Sequence, residues 1–193
     1  MIEMRDAMRV VVEHRSGDVV LTTETSIGAW AEVSDDVTLD LALPTMSKGS
    51  SMALGVALAQ PERRVIVWDG DGCLLMNMGT LVTIAGEAPK NLYHIILDNG
   101  MYAMTGGQPI PNQGNVSFAD LAKAAGYAWT FEFDDLEEWT TSIGDVLRED
   151  GPVLVVMKTA PEITDWRNNP PGPSRPMREA APVAREALQG GKA

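Results

Sequence analysis

RVIVWDGDGCLLMNMGTLVTIAGEAPKNLYHIILDNGMYAMTGGQ, residues 64–108, is the stretch on which the fold turns. Its two unbroken apolar runs, RVIVW and NLYHIILD, have the β-branched composition of central parallel strands covered on both faces. Between them LLMNMGTLVTIAGEA has helical character, and Pro89-Lys90-Asn91 turns the chain into the second strand. A right-handed crossover makes such strands parallel, with both carboxyl ends on one edge. Asp71 follows the first strand and Asn99 the second, so two oxygen ligands are expected at the edge where open α/β folds bind ligands. That spacing suits a magnesium-bound diphosphate, because magnesium prefers octahedral coordination by hard oxygens and shares them with phosphates. Asp71, the amide oxygen of Asn99 and the backbone carbonyl of Met101 are the expected ligands. Gly70 and Gly72 frame the aspartate; Gly72 is expected to let the backbone approach the diphosphate, with amides of the following helix donating to it. Gly-Asp-Gly alone also makes ordinary turns, so the weight rests on the spacing to Asn99 and on the flanking strands.

Outward from this core, Ile2, Met4, Ala7, Met8, Val11 and Val12 recur at helical spacing until Ser16-Gly17-Asp18 stops the helix before the strand VVLTT. A further strand is expected around residues 37–41, leading through Pro44 into SKGSSMALGVALAQ, a helix whose Gly49, Ala53, Gly55 and Ala57 permit close packing. Residues 99–116, rich in Gly, Pro, Asn and Gln, read as a loop over the site. SFADLAKAAG is a short helix opened by Ser117, and YAWTFEF is a strand. DDLEEWTTSIGDVLRED is a helix whose Asp134, Asp135, Glu137 and Glu138 suit the dipole at its start, and PVLVVMK is a strand expected to close the sheet. The predicted class is α/β: a doubly wound, mostly parallel sheet of about six strands with helices on both faces. Residues 1–160 form the expected domain. Residues 161–193, with five prolines after Pro161 and few large apolar residues, read as a Pro-rich C-terminal tail that either wraps a partner or is disordered.

Composition narrows the classes of function. The chain has 193 residues, 45% of them hydrophobic, which suits one globular domain with a sizeable core. A net charge of -12 without a basic cluster disfavours nucleic acid and anionic membrane surfaces as partners. The single cysteine, Cys73, excludes an internal disulfide and a four-cysteine metal site. The charged positions of the first helix distinguish it from a signal peptide, and no apolar run approaches the ~20 residues of a membrane span. A cytoplasmic address is the resulting expectation. His94, inside a strand, and His14, ending the first helix, read as structural or solvated; Lys48 reads as facing a partner.

Gly70-Asp71-Gly72 followed by Asp98-Asn99 resembles the diphosphate-binding signature of thiamine diphosphate enzymes, with Asp98 standing where many members have a first Asn. The resemblance runs from Arg5 to about Pro161 and covers the diphosphate-binding half alone. TMSKGSSMALGVALA and NGMYAMTGGQ are similar to the small (β) subunits of the sulfopyruvate and phosphonopyruvate decarboxylase type. The resemblance implies thiamine diphosphate and Mg2+ as cofactors. It implies Met46 as the apolar support of the bent cofactor, although the turn here lacks the family's usual glycine after the Met. Cys73 falls where relatives often carry a Ser that helps bind the diphosphate, and Tyr102, Thr105, Gly106, Gly107 and Gln108 fall in the loop that meets cofactor or substrate.

Such enzymes need an activating glutamate from a pyrimidine-binding half, for which 193 residues leave no room. The resemblance therefore implies a pyrimidine-binding α subunit in a hetero-oligomer, a small 2-oxo acid substrate, and release of an aldehyde and CO2. Glu24 is the one local acid worth naming for the activating role, and a solvated loop charge is the plainer expectation for it. Three alternatives stay open: the β subunit of a 2-oxo acid:ferredoxin oxidoreductase, an acetolactate-synthase-like carboligase, and a non-catalytic cofactor-binding subunit.

Overall fold

The computed structural model describes residues 1–163 and 176–190. Apolar residues alternate between two cores along the central strands, and this is what makes a three-layer body. In β3 (Val65–Gly70), Ile66 and Trp68 enter one core while Val65 and Val67 enter the other. In β4 (Leu92–Asp98), Tyr93, Ile95 and Leu97 separate in the same way from Leu92 and Ile96. Around these two lie β1 (Val19–Thr23), β2 (Asp40–Leu43), β7 (Trp129–Phe133) and β8 (Val153–Lys158) in the order β2-β1-β3-β4-β8-β7. Every pairing in this sheet is parallel, which bears out the expected doubly wound class.

Helices α1 (Met4–His14) and α2 (Thr25–Val33), with α7 (Leu136–Val146), bury Met8, Val11, Trp30, Trp139 and Ile143 against one face. The opposite face takes α3 (Gly49–Ala59), α4 (Asp71–Leu75), α5 (Gly79–Glu87) and α6 (Phe118–Ala125) through Ala53, Leu74, Ile84 and Phe118. Two helix starts follow from their caps: the Ser117 side chain accepts from Asp120 N, and that of Asp135 accepts from Glu137 N and Glu138 N.

Several expectations need correction. The second strand starts three residues late, because residues 37–39 form a 3-10 turn, with the Asp36 side chain accepting from Thr38 N. β8 does not close the sheet; it lies between β4 and β7, and β7 is the edge. The expected loop 99–116 contains a small antiparallel hairpin, β5 (Met101–Tyr102) with β6 (Gln108–Pro109). α2 is absent from the sequence reading, having neither a side-chain cap nor an acidic first turn to announce it. Within the segment read as a tail, α8 (Met177–Gly190) packs Ala180 and Ala184 into this chain's own core with Leu39 and Leu41. Residues 164–175 and 191–193 of that segment lie outside the described residues.

The order β2-β1-β3 matters for the site. The chain winds from β1 outward to β2, then returns past β1 to β3 and continues the other way, so the connections diverge above β1 and β3. A crevice opens at such a switch point, outside the carboxyl ends of the strands.

Candidate active site

A small cleft occupies that crevice, and Glu24, Met46, Asp71, Asn99, Met101 and Tyr102 are among the residues lining it. Asp71 opens α4 directly after β3 and is 2% exposed. Its Oδ1 accepts from Gly72 N at 2.6 Å and its Oδ2 from Gly100 N at 2.7 Å. Burial pushes the carboxyl up to about 7; the two backbone N–H groups oppose the shift, and neighbouring Asp98 adds to it. Asp98 is in turn paired with Lys158 Nζ at 2.7 Å, so the acid at this position has a cationic partner.

Asn99 Oδ1 accepts from Met101 N at 2.9 Å, a short-range turn that holds the amide beside Asp71. Opposite Met101 in the hairpin stands Pro109, which has no N–H to offer the Met101 carbonyl. The donor set is thus one carboxylate, one amide oxygen and one main-chain carbonyl, all hard oxygens and all at one strand edge. Among the described residues no three His, Cys, Asp or Glu side chains converge to cage a metal alone. This set fits magnesium only if a phosphate ligand brings further oxygens, and a carboxylate burdened by desolvation is stabilised by such a cation.

The glycine of the motif also makes room for a neighbouring side chain. A Cβ on Gly72 would lie 2.5 Å from the Tyr102 ring, so the close approach at this position is made by Tyr102. Gly70 has open space around its Cα. Cys73 also lines the cleft; it is 5% exposed, and burial pushes its thiol up to about 12, which disfavours the thiolate.

Met46 is half-buried and lines the cleft from the turn after β2. Ser47, at the position after Met46 where a glycine is the expectation, adopts φ 65, a left-handed conformation that glycine takes more freely. Asn77 Nδ2 clamps the turn by donating to Ser47 O at 3.0 Å and Ser51 Oγ at 3.2 Å. Thr105 reaches the cleft from the hairpin tip but is tied to Gln108, its Oγ1 donating to Gln108 Oε1 at 2.9 Å. Gly106 and Gly107, at φ 113 and 79, make the turn between them.

Glu24 departs furthest from expectation. It is half-buried and lines the cleft, and its Oε1 is shut off from solvent with no hydrogen-bond partner. Desolvation raises its pKa, and Asp69 adds to the rise. Its backbone sits at φ 51, ψ -124, a region that disfavours every residue with a Cβ. Beneath it lies a buried network that the sequence does not announce. Thr23 Oγ1 and Asp69 Oδ1 are 3.1 Å apart, and Asp69 Oδ2 is 3.4 Å from His94 Nε2, whose Nδ1 is 3.2 Å from Tyr127 OH. His94 is fully buried, as a structural histidine should be, while His14 and Lys48 are exposed.

Residues 28–157 match the family described as thiamine pyrophosphate enzyme, C-terminal TPP binding domain. The chain belongs to that family. Of the curated proteins, the domain is 41% identical over 116 residues to a phosphonopyruvate decarboxylase of Streptomyces hygroscopicus, covering 60% of this chain and 28% of the relative. It is 39% identical over 119 residues to the sulfopyruvate decarboxylase subunit beta of Methanocaldococcus jannaschii, covering 62% of each chain. The matches thus span from under a third to under two thirds of these relatives' lengths. In fold, the domain superposes with a TM-score of 0.71 on the thiamine diphosphate-dependent 4-hydroxybenzoylformate decarboxylase of Rhodococcus jostii, at 22% identity over 84% of this chain and 33% of that one. Asp71, Asn99, Met101 and Met46 all lie inside the matched segment, whereas Glu24 lies just before it.

Proposed function

We propose that this chain is the diphosphate-binding β subunit of a magnesium- and thiamine diphosphate-dependent decarboxylase of a small, sulfopyruvate- or phosphonopyruvate-like 2-oxo acid, yielding an aldehyde and CO2. The observation that carries the reading is the buried Asp71 carboxylate, held by two backbone N–H groups beside the oxygens of Asn99 and Met101. Thiamine diphosphate, when bound, supplies the electron sink for loss of CO2. The chain's own work is to bind and to orient. Asp71, Asn99 and the Met101 carbonyl would hold the magnesium ion, and Met46 and Tyr102 would supply apolar walls that keep water out.

The names of the relatives support a second subunit, since the Methanocaldococcus protein is itself called a subunit. Exposed Met76, Met78 and Val82 around the break between α4 and α5 offer an apolar face for a pyrimidine-binding α subunit at the mouth of the cleft. That subunit would contribute the activating glutamate. No helix among the described residues is long and apolar enough to cross a membrane, and a cytoplasmic setting fits the single buried cysteine.

Reconstitution tests the proposal. Mixed with a pyrimidine-binding chain, thiamine diphosphate and magnesium, the protein should release CO2 and aldehyde from sulfopyruvate or phosphonopyruvate without oxygen or an added acceptor. Strict dependence on ferredoxin or a viologen dye, with an acyl thioester as product, would contradict it and favour the oxidoreductase alternative.

A further inference from the structure

Glu24 combines two costs that a loop residue has no reason to carry. Its φ of 51 with ψ -124 is a strained conformation for a residue with a side chain, and strain of this kind persists only where the surroundings enforce it. Here they do. Ser26 Oγ accepts from Thr23 N at 2.8 Å and lies 2.6 Å from Thr23 O and 3.1 Å from Trp68 O, while Thr23 Oγ1 lies 3.1 Å from Asp69 Oδ1. Thr23, Ser26 and Asp69 are each 1% exposed. The second cost is Oε1, a desolvated carboxyl oxygen without a donor, in a side chain that lines the cleft.

Position gives these costs a meaning. Glu24 follows β1 and Asp71 follows β3, the two strands between which the winding reverses, so the two acids flank the crevice. Met46 approaches from beyond β1, after β2. A ligand whose diphosphate is held at the ends of β3 and β4 and which reaches Met46 must pass Glu24. With its pyrimidine ring unprotonated, thiamine diphosphate has one N–H donor group, the exocyclic amine of that ring; the thiazolium ring is cationic but has no N–H, and the pyrimidine ring nitrogens, the sulfur and the diphosphate oxygens accept. The carboxyl of this cleft-lining side chain, one of whose oxygens has no donor, is therefore matched as a hydrogen-bond acceptor by that amine.

We propose that Glu24, fixed at the end of β1 by the Thr23–Ser26–Asp69 network, accepts a hydrogen bond from the exocyclic amine of the bound cofactor and so orients its pyrimidine end. This role is separate from the activating glutamate expected from the partner subunit. It rests on the reading of the cleft as a thiamine diphosphate site.

The test is a cycle of two protein forms and two ligands, read by calorimetric binding in the presence of magnesium, with the full chain assembled with its pyrimidine-binding partner. The ligands are thiamine diphosphate and the analogue in which hydrogen replaces the exocyclic amine; the proteins are wild type and Glu24→Ala. A hydrogen bond to a charged acceptor predicts that wild type prefers the amine-bearing ligand by about tenfold or more. Glu24→Ala should lower that preference by the same factor, and Glu24→Gln, which keeps a carbonyl oxygen, should restore part of it. A role confined to the fold would weaken both ligands equally and leave the preference unchanged. An unchanged preference in Glu24→Ala, or equal affinity of wild type for both ligands, overturns the inference. Failure of wild type to bind either ligand overturns the reading of the cleft, and the inference with it. Should Glu24→Ala not fold, Glu24→Gly, which suits the left-handed backbone, gives the same readout.

Discussion

Asp71 gives both carboxyl oxygens to backbone N–H groups and is still held near neutrality by burial, an arrangement that suits a cation at this position. Its linkage to stability has a definite sign. The folded value, about 7, lies above the ordinary 3.8, so between about pH 4 and 7 the folded chain keeps a proton that the unfolded chain has lost. Stability of the cofactor-free protein should fall as pH rises through that window, and the loss should be complete above it. Magnesium with thiamine diphosphate selects the ionised carboxylate, so the stabilisation on adding them should grow from pH 5 to about pH 7 and then level off. Thermal melts across this range, with and without ligand, check both trends; a ligand effect independent of pH would contradict the assignment of Asp71. A second residue-scale prediction concerns Gly72→Ala. The added methyl meets the ring of Tyr102, a cleft-lining residue that must shift to make room. Cofactor affinity should drop at least tenfold, and Tyr102→Ala in the same chain should recover part of it, as measured by titration.

At the scale of elements, the turn between β2 and α3 holds Met46 in place through Ser47, which occupies a left-handed conformation that glycine adopts freely. Ser47→Gly should stabilise the chain by up to about 1 kcal/mol in chemical denaturation, with cofactor affinity unchanged. Helix α8 makes the opposite prediction. Ala184 is 2% exposed, so Ala184→Asp puts an unpaired charge into the core and should cost several kcal/mol, seen as a lower thermal midpoint. A neutral result would mean that α8 does not dock on the body. These elements also show what was legible in the sequence. β3, β4 and the candidate ligands after them are legible because unbroken β-branched runs and Gly-Asp-Gly are local signals. α6 and α7 were readable from their caps. α2 was not, since its start depends on the strained Glu24 and on hydrogen bonds that Ser26 and Thr23 donate to Trp68 O and Asp69 Oδ1, dozens of residues away. For the same reason Glu24 read as a loop charge: its burial is produced by tertiary packing that no local pattern encodes. The hairpin of β5 and β6 escaped notice because two-residue strands rich in Pro and Gly carry no periodicity.

At the scale of the molecule, a fully parallel sheet whose winding reverses beside β1 and β3 brings Glu24, Met46, Asp71 and Asn99 to one crevice from distant parts of the chain. That convergence, and not any single motif, makes the case for a cofactor site. The central claim is that the oxygens at the ends of β3 and β4 hold thiamine diphosphate through magnesium. The decisive measurement is calorimetric titration of thiamine diphosphate into the protein assembled with the proposed pyrimidine-binding partner, for wild type and for Asp71→Ala and Asn99→Ala. Wild type should bind tightly and lose the ligand when magnesium is chelated, and both variants should lose that binding while their thermal melts remain cooperative. Wild-type affinity in either variant, or binding indifferent to chelation, would contradict it.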